Sequence, residues 1–354
     1  MAKTAILPPA PAAAGSRGDE RVGQRNPFQK LLGRPEVGAL VGAVVLFVFF
    51  ALVSETFTQP NALATILYGS STIGIMAVGV SLLMIGGEFD LSTGVAVISS
   101  ALTASLFSWH FSMNAWVGVA LALVVSLGIG FINGWILIKT KLPSFIVTLA
   151  TFLMLTGLNL ALTRLIGGSV SSPSISKLDG FESARAVFAS SVSIGGVEVK
   201  ITVFFWIFLV AVASWVLLRT KVGNWIFAVG GNADSARAVG VPVTKTKIGL
   251  FMAVGFCGWV LGMHNLFAFD AVQSGEGVGN EFLYIIAAVI GGCLLTGGYG
   301  SAVGGAIGAF IFGMANKGIV YAQWNPDWFK FFLGAMLLFA VIANNAFRNY
   351  AAKR

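Results

Sequence analysis

The chain has 354 residues, of which 56% are hydrophobic and only 10% are Asp, Glu, Lys or Arg. Soluble globular proteins are about 25% charged, so this composition excludes an ordinary cytosolic enzyme and indicates a membrane protein. The net charge of +8 reflects 22 Lys and Arg against 14 Asp and Glu, and the basic residues cluster beside apolar runs. That clustering indicates that the basic residues set the orientation of membrane spans and argues against nucleic-acid binding.

Residues 1 to 35 are rich in Ala, Pro, Gly and charge, and they are predicted to form a disordered cytoplasmic tail. The first apolar run begins only near Val37, so it is expected to be a membrane span and not a cleaved signal peptide. Each of ten apolar runs approaches the roughly twenty residues that a membrane helix needs. These runs are approximately residues 37–56, 62–86, 91–109, 114–138, 144–164, 201–218, 246–269, 282–298, 301–319 and 328–346.

The distribution of basic residues predicts the orientation of these spans. With ten spans and a cytoplasmic amino terminus, sixteen Lys and Arg lie in cytoplasmic segments and six in external ones. Cytoplasmic loops are enriched in Lys and Arg, so both termini are predicted to be cytoplasmic, with 349–354 as a short tail. The long external connection at 165–200 is expected to hold a short surface helix.

Glycines interrupt the region 282–319, which would otherwise be one long apolar run. One span or two could be drawn through it. Two closely packed helices are favoured, since Gly300, Gly304 and Gly308 repeat every four residues and would allow close backbone approach.

Catalytic motifs are absent from the sequence. It contains no G-x-x-x-x-G-K-[ST] phosphate loop and no G-x-S-x-G, and His110 and His264 are isolated. Cys257 and Cys293 lie inside apolar runs, where cysteine behaves as a small hydrophobic residue. The sequence therefore predicts neither an enzyme nor a metal site.

The segment Gly86-Gly87-Glu88-Phe89-Asp90-Leu91-Ser92-Thr93-Gly94 places carboxylates and hydroxyls between two apolar runs. Ionisable groups at membrane depth are expensive and suggest a functional site. The simpler interpretation is a turn in which Asp90 or Ser92 caps the third span. Both interpretations can hold, because a broken helix inside a membrane must face protein or a watery cavity.

Two further segments stand out. At 230–241, Asn232 or Asp234 can cap a short helix that Gly240 ends, which predicts either a protein-docking helix or an amphipathic linker on the bilayer. At 130–149, Asn133 lies in an apolar run and Pro143 can begin the next helix.

These three segments resemble those of the permease subunits of bacterial sugar ABC transporters of the ribose, xylose and fructose type. The first resembles that family's G-x-x-D-L-S-x-G signature, with Thr93 where Val is usual. Residues 130–149 are similar to its N-G-x-L and L-P-x-F-I-x-T-L stretches, and 231–241 to its cytoplasmic G-x-N-x-x-A-A-x-x-x-G-I loop. The similarity extends from about residue 37 to 348.

The resemblance implies an all-α polytopic membrane protein with a vitamin-B12-importer-like permease domain at 36–348. It implies a homodimer in lipid, served by a periplasmic sugar-binding protein and by separate ATPase subunits that use ATP and Mg, with no cofactor bound by this chain. The cytoplasmic loop 219–246 would then hold the helix that couples to the ATPase. The coupling residues would be Gly231, Asn232, Ala233, Ser235, Ala236, Arg237 and Gly240.

A translocation path for a neutral, hydrated sugar needs hydroxyl and amide groups and aromatic faces. The candidates for the path or its gate are Glu88, Asp90, Ser92, Thr93, Asn133 and Phe145, with Thr72, Ser81 and Asn159 as additional lining residues. A membrane scaffold without transport is disfavoured by the interrupted, Gly-rich helices but stays open. Two alternative transport functions also stay open. One is an ABC permease for branched-chain amino acids or nucleosides, and the other is an ion-coupled secondary transporter in which Glu88 and Asp90 bind the ion.

Overall fold

A computed structural model describes residues 35–352, except for the side chains of residues 35, 340 and 343–352. The predicted disordered tail, up to residue 34, lies outside the described residues. The described chain is a helical bundle with one two-stranded hairpin. Its α-helices are α1 (Pro35–Val53), α2 (Pro60–Ile85), α3 (Thr93–His110), α4 (Ala115–Thr140), α5 (Ser144–Gly167), α6 (Phe181–Phe188), α7 (Ile201–Arg219), α8 (Lys221–Gly231), α9 (Ala233–Ala238), α10 (Val243–Phe269), α11 (Asn280–Ile290), α12 (Ala302–Tyr321) and α13 (Trp328–Ala352).

Each of the ten apolar runs overlaps one of these helices. Seven helices within the described residues are long and apolar enough to cross a membrane, namely α1, α2, α4, α5, α7, α10 and α12. The fold is therefore that of a polytopic membrane protein. Helix α13 continues to Ala352, so part of the segment expected as a carboxyl-terminal tail is helical.

Local sequence signals explain where several helices begin and end. Asn114 accepts a hydrogen bond from the N–H of Trp116 at the start of α4, and Ser301 accepts one from Gly304 at the start of α12. Such side-chain caps satisfy N–H groups that have no partner in the first turn. Helix α5 ends at Gly168 in the left-handed conformation, which glycine adopts at little cost.

Helices α2, α10 and α12 form the centre of the bundle, whereas α1, α4, α5 and α7 expose most of their apolar surface. Glycines allow the central helices to approach closely. A Cβ added to Gly305 would lie 3.2 Å from Cβ of Ser81, and one added to Gly313 would lie 2.9 Å from the backbone nitrogen of Ser70. Close backbone packing of this kind stabilises helix pairs in membranes.

The region 282–298 is not one helix throughout. Helix α11 ends at Ile290 after 11 residues, which is roughly 16 Å and about half of a bilayer core. The next eleven residues form a loop in which Gly292, Gly297, Gly298 and Gly300 have positive φ. Helix α12 then follows as a separate element, so the expectation of two closely packed helices holds with a shorter first helix.

The long connection 165–200 contains the expected short helix, α6. It also contains a hairpin that was not predicted, in which β1 (Ser191–Ile194) pairs antiparallel with β2 (Val197–Lys200). Gly195 and Gly196 form the turn, and both have positive φ as a tight hairpin requires. The hairpin and α6 lie at one end of the bundle, and α8 and α9 lie at the other.

Candidate functional site

The loop at 86–92, between α2 and α3, enters the bundle and is held there by hydroxyl groups of α5. The N–H of Phe89 donates to Ser144 Oγ at 3.1 Å, and the N–H of Leu91 donates to Thr148 Oγ1 at 3.1 Å. Backbone donors in a buried loop need such partners, because no water is available to replace them. Helix α5 therefore supplies the hydrogen bonds that a regular helix would have provided.

Asp90 lies at one end of a chain of buried hydrogen bonds. Its Oδ1 accepts from the backbone N–H of Ser92 at 2.8 Å and from Ser92 Oγ at 2.6 Å. Asn133 Nδ2 of α4 donates to Ser92 Oγ at 3.0 Å, and Thr151 Oγ1 of α5 donates to Asn133 Oδ1 at 2.7 Å. The chain thus connects the loop to two neighbouring helices.

The charge state of Asp90 depends on two opposing effects. Burial raises the pKa of the Asp90 carboxyl, because its charged form loses hydration. The hydrogen bonds from the backbone and side chain of Ser92 favour the charged form and act in the opposite direction. The expected turn is present, but Asp90 accepts the N–H of Ser92, which precedes α3, and so does not cap a free N–H of that helix. The Ser92 side chain makes no cap hydrogen bond to α3, so that part of the expectation is wrong.

Glu88 forms an ion pair with Lys247 Nζ, from the first turns of α10. The Glu88 side chain is 10% exposed and that of Lys247 is 15% exposed. Two opposite charges that leave water together must remain paired, since either one alone would be left uncompensated. The pair therefore fixes the loop to α10, and Lys247 is a site residue that sequence analysis missed.

The other two gate candidates, Thr93 and Phe145, take no part in the hydrogen-bond chain of Asp90 or in the ion pair of Glu88 and Lys247. Thr93 is fully buried in the first turn of α3, and its Oγ1 has no hydrogen-bond partner among the described residues. Phe145 lies on the outer face of α5 and is 54% exposed. The structure therefore brings together four of the six candidates, and Phe145 points away from them because it directly follows Ser144 on the helix.

A third buried carboxylate lies where α3 and α11 begin. Glu281 is 3% exposed, and its Oε2 accepts a hydrogen bond from the N–H of Gly279 at 3.0 Å. A Cβ added to Gly94 would lie 2.6 Å from this same oxygen. A negative charge is favourable beside helix amino termini, so Glu281 stabilises both helix starts.

The segment at 231–240 contains a short exposed helix, α9. Asn232 caps it by accepting from the N–H of Ser235 at 2.8 Å, and Arg237 and Asp234 form an exposed ion pair at 3.0 Å. Ala236 is 3% exposed and packs with Val229 and Val243. Most of the predicted coupling residues are therefore exposed, whereas Ala236 holds α9 against α8 and α10. The exposed residues are Gly231, Asn232, Ser235, Arg237 and Gly240, and Ala233 is half-buried.

A cavity of about 490 Å³ lies between α3, α4 and α5, and it includes the lining candidate Asn159. Asn159 Oδ1 accepts from Ser99 Oγ at 2.9 Å, and its Nδ2 donates to the carbonyl of Val95 at 3.3 Å. The rest of the lining is mostly Leu, Ile, Val and Phe. Such a lining does not fit a hydrated sugar, since few polar groups would replace the water it loses.

The α5 hydroxyls could have been found in the sequence. Ser144, Thr148 and Thr151 are separated by four and three residues, so they lie on one face of a helix. An apolar membrane helix with one polar face indicates a polar contact inside the protein. Lys247 carries no such signal, because its position beside other basic residues resembles an ordinary cytoplasmic loop.

Known proteins are similar to this chain over most of its length. A family model described as the permease component of the branched-chain amino acid transport system matches residues 62–341. The ribose import permease of Escherichia coli K12 is 31% identical over 88% of this chain and 94% of its own length. The galactose/methyl galactoside import permease of the same organism is 30% identical over 90% of this chain and 96% of its own.

The fructose import permease of Rhizobium meliloti is 27% identical over 89% of this chain and 86% of its own length. No solved structure matches the chain. The family match contains both the 86–92 loop and α9, and the polytopic helical fold is consistent with it. This chain therefore belongs to the family of membrane permease components of ABC transporters, whose members work in the inner membrane with a separate ATPase subunit.

Proposed function

We propose that this chain is the permease subunit of an ATP-driven importer that moves a monosaccharide or a related polyol across the inner membrane by alternating access. The observation that carries the proposal is the similarity, over nearly the whole chain, to ribose, galactose and fructose import permeases. The interrupted helices support it, because irregular backbone at membrane depth is tolerated where it faces protein or a watery cavity.

The proposed topology has ten spans with both termini in the cytoplasm, and α11 is a half-length span. The concentration of Lys and Arg in the segments assigned to the cytoplasm supports this orientation. We place α8 and α9 on the cytoplasmic side, and α6 with the hairpin on the periplasmic side. The permease would function as a vitamin-B12-importer-like homodimer in lipid.

The proposed partners lie at opposite ends of the bundle. At the cytoplasmic end, the exposed face of α9 would contact the ATPase subunit, which would bind the ATP and Mg. At the periplasmic end, residues 165–200 and the segment after α10 would receive the sugar-binding protein. Alternating access would follow from relative movement of the two permease copies.

The hydrogen-bond network of Asp90, Ser92 and Asn133 defines the position of the break between α2 and α3. Both polar atoms of the Asn133 amide group are hydrogen-bonded inside the protein, Nδ2 to Ser92 Oγ and Oδ1 to Thr151 Oγ1. We therefore propose that these residues shape the wall of the path and do not bind the sugar. In such an importer, the specificity for the sugar would come mainly from the binding protein.

Two other functions compete with this proposal. The description of the family model favours a branched-chain amino acid as the cargo. A secondary transporter would use Glu88 and Asp90 as an ion site, but Glu88 is paired with Lys247 and Asp90 accepts two hydrogen bonds from Ser92. The first of these functions is the stronger competitor.

Reconstitution tests the proposal directly. The permease, its ATPase and its binding protein would be placed in proteoliposomes, and uptake of labelled ribose, galactose, fructose and leucine would be measured. We expect uptake of one sugar that needs ATP and the ATPase subunit and persists when an ionophore removes ion gradients. Uptake without the ATPase, or uptake of leucine alone, would contradict it.

A further inference from the structure

Three backbone segments meet at the end of the bundle that holds α9, and they leave no room for side chains between them. A Cβ added to Gly230 of α8 would collide with the carbonyl oxygen of Ile85 and would lie 2.7 Å from the nitrogen of Gly298. A Cβ added to Gly297 would lie 2.6 Å from Cα of Gly87. Real Cβ atoms do not approach other atoms this closely, so each position requires glycine.

One hydrogen bond joins two of these segments directly. The N–H of Gly298 donates to the carbonyl of Ile85 at 2.9 Å, which connects the loop at 291–301 to the end of α2. Gly87 and Gly297 both have positive φ, at 82° and 78°. We call the contact of Ile85, Gly87, Gly230, Gly297 and Gly298 the glycine junction.

The junction connects α9 to both loops that interrupt the bundle. Gly230 lies two residues before Asn232, the residue that caps α9. Gly87 is the second residue of the loop at 86–92, and Gly297 lies in the loop at 291–301. A movement of α9 would therefore reach both loops through backbone contacts alone, with no flexible side chain to absorb it.

The ion pair of Glu88 and Lys247 supplies an independent connection at the same place. Glu88 directly follows Gly87, and Lys247 lies in the first turns of α10, the helix that follows α9. Because both side chains are largely buried, separating the two charges would be costly. The 86–92 loop is thus held to the elements on both sides of α9.

We propose that the glycine junction and the Glu88–Lys247 pair transmit displacement of α9 to the two interrupting loops, and so couple ATP hydrolysis to opening of the path. This inference rests on the proposed function and names positioning residues for it. The residues would act on the loops and would not contact the cargo. The relevant quantity is therefore the amount of sugar transported for each ATP hydrolysed.

The first test is Gly230→Ala in the reconstituted transporter. The matched control is Gly249→Ala, because Gly249 is an exposed helical glycine of α10 where an added Cβ meets nothing within 4 Å. We expect the variant to bind the ATPase and hydrolyse ATP while sugar transported per ATP falls about tenfold, and we expect the control to match the wild type. Normal transport per ATP in Gly230→Ala would overturn the proposal.

A second test applies even if Gly230→Ala does not assemble. Glu88→Lys and Lys247→Glu are measured singly and together. Each single change should lower transport per ATP about tenfold, and the double change should recover most of the loss because it restores opposite charges. Single variants that keep wild-type transport per ATP, or a double variant that recovers none of the loss, would overturn the proposal.

The failure of this inference is distinct from failure of the proposed function. If the wild-type chain transports sugar without the ATPase, the proposed function fails before any variant is compared. If the wild type needs ATP and the variants remain fully coupled, only the inference fails. The ATPase rate and the uptake rate are measured on the same vesicles.

Discussion

The imidazole Nδ1 of His264 lies 2.8 Å from the carbonyl oxygen of Phe188, which joins α10 to the last residue of α6. A carbonyl oxygen can only accept, so Nδ1 carries the proton. In the neutral imidazole the other ring nitrogen, Nε2, has a free lone pair and accepts from the Tyr68 hydroxyl of α2 at 3.0 Å. One buried side chain thus fixes the position of α6 relative to two central helices.

Replacing His264 by Phe is expected to lower the stability of the protein by about 1–3 kcal/mol, because the Phe188 carbonyl and the Tyr68 hydroxyl would both lose a partner. Thermal unfolding in detergent measures the loss. His110→Phe is the control, since His110 is exposed at the end of α3. Equal unfolding temperatures for the two variants would contradict this role of His264.

The hydrogen bonds of Asp90 predict different results for two substitutions. Asp90→Asn keeps an oxygen that can accept from Ser92, so it should retain folding and most transport. Asp90→Ala leaves the Ser92 N–H without its partner and is expected to cost about 1–3 kcal/mol. Unfolding temperature and uptake are both measured. A severe transport defect in correctly folded Asp90→Asn would instead indicate that the negative charge itself is needed.

Asn133 links α4 to α5 as well as to the loop. Asn133→Ala removes the acceptor of Thr151 and the donor to Ser92, so we expect a loss of about 1–3 kcal/mol in thermal unfolding. Ile132→Ala serves as the control, because Ile132 is the adjacent residue of α4 and is 50% exposed. The assignment would fail if the control were the more destabilised protein.

The close contact of α3 with the segment before α11 predicts a strong effect at Gly94. A Cβ there would collide with the carbonyl of Gly277 and would lie 2.6 Å from Glu281 Oε2. Gly94→Ala is expected to cost about 1–3 kcal/mol through overpacking. Gly128→Ala in α4 should have little effect or stabilise, since nothing lies within 4 Å of its added Cβ. Similar stability of both variants would show that this contact yields easily.

The membrane helices were predictable because their signal is local. A run of about twenty apolar residues forms a helix in lipid, since the helix satisfies its own backbone groups. The start of α9 was predictable for the same reason, because Asn232 caps a residue three positions away. Glycines indicated the interruption between α11 and α12, although the length of α11 could not be predicted from composition.

The face on which a residue lies was harder to predict. Ser144 and Phe145 are adjacent in the sequence, and Phe145 is a path candidate because a sugar path needs aromatic faces. The structure places Ser144 against the loop and Phe145 on the exposed face. Successive residues of a helix point about 100° apart, so a motif alone does not define which member faces the site.

Local sequence patterns were enough to predict the membrane location, nearly all the helices, the two carboxylates in the 86–92 loop and the family resemblance. The partners of those carboxylates became visible only in the folded chain. Glu88 pairs with Lys247, 159 residues further along the chain, and Asp90 reaches Asn133 through Ser92. Helix formation depends on residues within about four positions, whereas a side chain's partner depends on how distant helices pack.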